Sequence, residues 1–116
     1  MSDTAIESQI QAKGLTAPRV TPADIQANIA SEWYFTAAEA VYAVDALTPA
    51  EIPKPLELLT LCVLVLKNGF TVTGESACAS PENFDAELGR KIARGSAVAK
   101  IWPLMGYALK SKLQGK

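Results

Sequence analysis

The dipeptide Asn68-Gly69 most constrains how this chain folds, because it lies between two runs of residues typical of β-strands. Asn-Gly in such a position is the strongest short-range signal for a β-hairpin, since a type I′ turn needs positive φ at both central residues. The sequence therefore predicts a hairpin whose strands cover about 59–66 and 70–77.

The first strand of this hairpin is apolar on both of its faces. Side chains alternate between the faces with a period of two residues. A two-residue turn pairs Val65 with Val72 and collects on one face Leu59, Leu61, Val63, Val65, Phe70 and Val72. The other face holds Leu64 and Leu66, which need a cover because an isolated hairpin is marginal in water. We expect helices on the richer face, and either another chain segment or another subunit on the second.

Helices are predicted on both sides of the hairpin. Two N-terminal capping patterns, at residues 21–24 and 36–39, predict helices from residue 22 to about 31–33 and from residue 37 to about 46. The first prediction makes core residues of Trp33, Tyr34 and Phe35. The alternative is a stacking platform for a base or a partner side chain.

A long helix is predicted to follow the hairpin, with a core-facing stripe of Phe84, Leu88, Ile92, Gly95, Ala99 and Trp102. Pro103 is expected to kink or restart this helix. The predicted fold class is α+β, with two N-terminal helices, a β-hairpin and a long kinked C-terminal helix. We expect one domain at 21–113, a flexible N-terminal arm at 1–20 and a frayed tail at 114–116.

Histidine is absent, and the two cysteines, Cys62 and Cys78, match no zinc-binding spacing. Because histidine is the commonest general base and metal ligand, we expect no catalytic residue, no metal, no cofactor and no enzymatic activity. The N-terminus lacks the basic and apolar regions of a signal peptide, and no run of about 18 apolar residues occurs. We therefore expect a cytoplasmic protein that does not contact a membrane.

The charges are separated along the chain, because all twelve acidic residues precede residue 89 and the segment from there to the end is basic. Such asymmetry can mark a surface for nucleic acid or an acidic partner. The candidate anion or partner contacts are Lys67, Arg90, Lys91 and Arg94. The alternative is that the basic segment packs beside the acidic first half, and cations also suit the C-terminal end of a helix.

Three segments carry a resemblance to a known family: TPADIQANIASEWYFTAAEAVY (21–42), NGFTVTGESACASPENFDAELGRKIAR (68–94) and KIWPLMGYALK (100–110). From about Leu15 to Leu113 the chain resembles a family of small tailed-phage and prophage proteins, named after uncharacterised products of bacteriophage N4 and Shigella phage Sf6. The resemblance implies expression in the cytoplasm of a bacterial host. It transfers no functional residue, because the family has no defined activity. Members typically carry an acid where this chain has Met105.

Two functions are compatible with these observations. The first is a non-enzymatic phage or prophage accessory protein that binds a host or phage partner, with a role in counter-defence or host takeover. The alternative is a module that binds an anionic ligand, a nucleotide or nucleic acid through the basic face of the C-terminal helix. With either function we expect a homo-oligomer, a dimer or larger, that associates through the hairpin or through the apolar helix stripe.

Overall fold

The computed structural model describes residues 3–115, which form a three-stranded antiparallel sheet and four α-helices. Short 3₁₀ turns occupy Pro49–Glu51, Lys54–Leu58 and Pro81–Asn83. The main elements in chain order are α1 (Asp3–Ala12), α2 (Pro22–Ala27), β1 (Ile29–Thr36), α3 (Ala37–Asp45), β2 (Leu59–Leu66), β3 (Thr71–Ala77) and α4 (Ala86–Gly115). The strand order is β1-β2-β3, so β2 is the central strand. The α+β class is confirmed, with a third strand that the sequence did not predict.

The predicted hairpin is present, and its loop is one residue longer than expected. The Leu66 amide donates to the Phe70 carbonyl over 2.8 Å, and the Gly69 amide donates to the Leu66 carbonyl over 2.9 Å. The loop therefore comprises residues 67–69. Gly69 has a φ of +90°, as expected of the glycine that ends a three-residue hairpin loop.

The longer loop changes which side chains share a face. Leu64 lies opposite Val72, and Val65 lies opposite Thr71. A shift of one residue moves a strand's side chains to the opposite face. Val72 and Gly74 consequently lie with Leu64 on the buried face, and the predicted pairing of Val65 with Val72 is wrong.

The segment predicted as the end of the first helix is the strand β1. The capping box at Thr21 begins α2 as predicted, but α2 ends at Ala27. The following Ile29–Thr36 pairs with β2 in antiparallel register. Aromatic and β-branched residues favour strands, and β2 would otherwise leave one edge of its backbone groups unpaired. Pairing with β2 therefore outweighs the helical spacing on which the prediction was based.

The core lies between the sheet and α4. Gly74 on β3 faces α4 so closely that a Cβ atom there would collide with the backbone of Ala93 and Ala97. The backbones of β3 and α4 therefore approach each other closely at Gly74. The buried residues of α4 are Gly89, Ala93, Ala97 and Ile101, and the core cluster comprises Ile25, Cys62, Leu64, Leu66, Val72, Ala93, Ala97 and Ile101.

The stripe predicted to face the core lies mostly on the outer side of α4. Leu88 is 54% exposed and Ile92 is 59% exposed. A Cβ atom at Gly95 would have no neighbour within 4 Å, so this member of the stripe does not face the core either. The prediction failed because helix and sheet meet at Gly74. The face with the smallest residues allows the closest approach, and larger side chains there would hold the two layers apart.

The helix α4 passes through Pro103 and ends at Gly115, so the restart expected at Pro103 is wrong. Ile101, just before the proline, is fully buried, and Met105, just after it, packs against the core cluster. Pro103 has no backbone N–H and cannot donate a helical hydrogen bond. The contacts of Ile101 and Met105 hold α4 against the core on both sides of this gap. Within the tail predicted at 114–116, residues 114 and 115 are helical and Lys116 lies outside the described residues.

The helix α1 occupies half of the segment predicted as a flexible arm. Arg19 binds Glu7, with Nη2 2.7 Å from Oε2, and the Trp102 indole N–H donates to Asp3 over 3.2 Å. These contacts hold a helix at residues 3–12 that has little periodicity of its own. The flexibility expected of the arm at 1–20 stays a prediction. The proposed boundary near residue 20 stays a prediction, and residues 1 and 2 lie outside the described part of the chain.

Candidate functional site

The face of the sheet turned away from α4 is a flat, mainly apolar surface, which we call the open face. The strand register arranges its side chains in three cross-strand rows. These rows are Ser31–Val65–Thr71, Trp33–Val63–Thr73 and Phe35–Leu61–Glu75. The β2 residues at the centre of the open face are therefore aliphatic. The β1 side carries two aromatic residues, and the β3 side is polar.

Burial alternates along the strands in the way expected of a sheet with one covered face. In β2 every second residue is buried against the core, and the residues between them are half-buried. The three β3 residues of the open face are exposed, and Trp33 on β1 is 61% exposed. The Trp33 indole N–H donates to Ser31 over 3.0 Å, which holds the ring beside the aliphatic row. The open face thus has a half-buried aliphatic centre beside an exposed, oriented aromatic residue.

The open face continues into a cavity of about 550 Å³ at one end of the hairpin. Leu59 pairs with Ala77 in the next cross-strand row, and both line this cavity. Pro55 and Pro81 form part of its wall. The apolar surface therefore extends beyond the three rows and gains depth at this end.

A polar cluster lies on the other face of the sheet, beside the core. The Tyr34 hydroxyl donates to Glu32 over 2.7 Å, and Arg94 binds Glu32 over 3.3 Å and Gln26 over 2.7 Å. These hydrogen bonds hold the pKa of Glu32 below its usual value. Burial, together with the hydrogen bond to Glu32, raises the pKa of Tyr34. The cluster ties α4 to α2 and β1.

The structure separates the four basic residues that the sequence singled out. Arg94 is occupied by Glu32 and Gln26, and Lys91 lies 3.3 Å from Glu87 on the same helix. Arg90 is exposed on α4, whereas Lys67 lies on the hairpin loop. Of these four, Arg94 joins the basic last helix to the acidic first half of the chain.

Lys67 instead lines a groove of about 620 Å³ between α2, the hairpin loop and the end of α4. Arg19 and Lys112 also line this groove, together with Asp24 and apolar side chains such as Met105. Arg19 is engaged by Glu7. Sequence reasoning missed this grouping because its cations are widely separated in the chain and meet only through the fold.

Trp33 is the candidate interaction residue that the sequence placed wrongly. As part of a helix it was expected in the core, whereas on a strand Trp33 and Tyr34 point to opposite faces. The alternation of Ser31, Trp33 and Phe35 with Glu32 and Tyr34 was a period-two signal that could have identified the strand.

Within residues 3–115, no three His, Cys, Asp or Glu side chains lie close enough together to hold a metal ion. No helix in that range is long and apolar enough to cross a membrane. Both cysteines are free, Cys62 being buried and Cys78 partly buried. Burial raises the pKa of the Cys62 thiol.

Comparison with known proteins gives one finding. The model of the phage protein (N4 Gp49/phage Sf6 gene 66) family matches residues 20–113, which include β1, β2, β3, α2, α3 and α4 up to residue 113. No curated protein and no solved structure gives a significant match.

Proposed function

Because the chain belongs to the phage protein (N4 Gp49/phage Sf6 gene 66) family, we propose that it is a non-enzymatic phage accessory protein that binds a host or phage protein in the bacterial cytoplasm. The open face is the binding surface. Counter-defence or host takeover is the role that such binding would serve.

The observation that carries this proposal is the accessible aliphatic row of Leu61, Val63 and Val65 beside Trp33. Each Leu or Val side chain contributes roughly 1.5–3 kcal/mol when it is fully buried, and the half-buried residues of this row leave part of that stabilisation unused. Tryptophan is enriched among residues that dominate binding energy, and interface centres are depleted of charge. Glu75 is the one charged residue among the nine that define the open face. The partner surface is therefore expected to be apolar and uncharged at its centre.

Affinity capture tests this proposal. Tagged protein is exposed to lysate from phage-infected and uninfected host cells, and the bound proteins are compared among wild type, Trp33→Glu and the control Val44→Glu. Val44 lies on α3, is 81% exposed and is not one of the nine residues of the open face, so its substitution introduces the same charge at another exposed apolar residue. We expect a specific protein that wild type and the control both retain, with recovery at least about tenfold lower for Trp33→Glu. Equal recovery by all three, or no specific protein with wild type, would contradict the proposal.

A second candidate function is binding of an anionic ligand in the groove beside Lys67. It is supported by Lys67 and Lys112, which line this groove with a single acid, Asp24, whereas the third cation of the groove, Arg19, is paired with Glu7. Fluorescence anisotropy with labelled single-stranded DNA, RNA and nucleotides at low salt tests it. Lys67→Glu with Lys112→Glu should abolish binding, whereas the control Arg90→Glu should leave it unchanged. Absence of binding to every probe would refute this candidate and leave the open-face proposal intact.

A further inference from the structure

The outer side of α4 carries apolar and small residues with the spacing of a coiled-coil seam. The residues of this outer seam are Leu88, Ile92, Gly95, Ala99, Trp102 and Gly106. Their separations of four and three residues alternate along the helix, which is the heptad spacing of two helices that supercoil around each other. The residues that α4 buries against the sheet occupy a different side of the helix. One helix thus has two apolar faces, and only one of them meets the sheet.

Most of the outer seam is uncovered. Leu88 and Ile92 are more than half exposed, and Gly95, Ala99 and Gly106 are exposed as well. Trp102 is half-buried, because it packs against the core cluster and its indole N–H donates to Asp3 at the start of α1. The helix α1 therefore borders the seam at Trp102, while the seam residues nearer the N-terminus of α4 remain accessible.

We propose that two copies of this chain associate through the outer seams of their α4 helices, packed antiparallel. In a heptad written abcdefg, the seam residues occupy positions a and d. In antiparallel pairs, the a positions of one helix meet the d positions of the other. With the two-fold axis beside residue 97, Leu88 lies opposite the partner's Gly106, and Ile92 lies opposite the partner's Trp102. Gly95 then lies opposite the partner's Ala99, where small residues let the two backbones approach closely. Leu88 thus faces a glycine, and Ile92 faces the flat indole ring of Trp102.

The charges favour this orientation over the parallel one. Glu82 and Asp85 lie just before the start of α4 and Glu87 lies in its first turn, where it pairs with Lys91, whereas Lys110 and Lys112 lie near the end of the helix. Antiparallel packing places the acidic start of each helix beside the basic end of its partner. Parallel packing would instead bring like charges together at both ends. Interaction between the two helix dipoles also favours the antiparallel arrangement.

The seam extends along the greater part of α4. From Leu88 to Gly106 the helix rises about 27 Å, roughly five turns. The open face is not part of this contact, so each copy of the dimer keeps its partner-binding surface. Self-association and partner binding are therefore separable by mutation.

Light scattering coupled to size-exclusion chromatography tests the association. We expect wild type to elute as a dimer at micromolar concentration, and Ile92→Glu to raise the dimer dissociation constant at least about 100-fold. Tyr107→Glu is the matched control, because Tyr107 is 78% exposed on the same helix but lies off the seam. Trp33→Glu controls for the open face. Far-UV circular dichroism should show that all the variants are folded.

Three outcomes would overturn the proposal: a wild-type monomer, a dimer that tolerates Ile92→Glu, or a dimer that is lost on Trp33→Glu. Pulsed electron paramagnetic resonance of a spin label at Ser111→Cys, in a Cys78→Ser background, tests the orientation. An antiparallel pair centred on residue 97 separates the two labels by about 40 Å, whereas a parallel pair brings them within about 20 Å. A short distance would contradict the antiparallel arrangement.

Discussion

Gly74 is the residue that sets the distance between the two layers of the molecule. Since α4 lies against its backbone, no side chain fits between β3 and the helix at this point. The small residues of α4 are complementary to this contact. Gly95, on the outer side of the same helix, has open space around its Cβ position. Within one subunit the two glycines therefore have opposite roles.

We predict opposite effects of alanine at these two positions. Gly74→Ala should lower the free energy of unfolding by about 1–3 kcal/mol or more, because the added methyl group overpacks the contact with Ala93 and Ala97. In the Ile92→Glu background, where the proposed dimer is disrupted, Gly95→Ala should raise it by up to about 1 kcal/mol, because glycine is the poorer helix former. Urea denaturation measures both. A Gly74→Ala variant as stable as wild type would show that α4 does not lie on β3 as described.

A second residue-scale prediction concerns pH. Hydrogen bonds from Arg19 and from Gln11 lower the pKa of Glu7 to about 2, from an ordinary value of 4.5. Because the folded state holds this proton less tightly than the unfolded state does, the ion pair stabilises the fold fully above pH 4.5. That stabilisation is lost as the pH falls toward 2. Glu7→Gln should therefore lose less stability than wild type over this interval, as measured by urea midpoints at each pH. Parallel pH profiles of the two proteins would contradict this assignment.

Elements could be predicted from the sequence where their signals are local. The Asn68-Gly69 turn, the capping boxes at Thr21 and Thr36, and the long last helix are all present. Elements that depend on distant partners could not be predicted. The strand β1 forms because β2 has a free edge, and α1 is held by contacts that span most of the chain. The residues of the open face could not be predicted either. Which β3 side chains share a face with those of β2 depends on whether the hairpin loop has two or three residues.

Pro103 provides a prediction at the scale of one element. It lies inside α4, where proline removes a hydrogen bond and crowds the preceding turn. Since Ile101 and Met105 hold the helix on both sides, Pro103→Ala should leave the fold unchanged and raise the free energy of unfolding by about 1–3 kcal/mol. Urea denaturation and circular dichroism measure this. A loss of stability would mean that the proline shapes α4 for its packing.

The whole molecule is elongated and exposes apolar surface on the outside of both its layers. Its radius of gyration is 18.0 Å, whereas a compact chain of this length is expected to have about 13 Å. Close packing through small residues on the inner side of α4 leaves larger apolar residues on the outer seam and on the open face. Exposed apolar patches on this scale commonly mark interaction sites. We therefore interpret the molecule as a subunit whose exposed apolar surface is buried by a partner.

The central claim is that the open face is accessible in the free protein and is the surface that a partner covers. Tryptophan fluorescence in a Trp102→Phe background, where Trp33 is the one remaining tryptophan, tests this most directly. We predict red-shifted emission that acrylamide quenches readily in the free protein. Addition of the captured partner should shift the emission to the blue and protect Trp33 from quenching. Blue-shifted, protected emission from Trp33 in the free protein, or no change on binding, would contradict the claim.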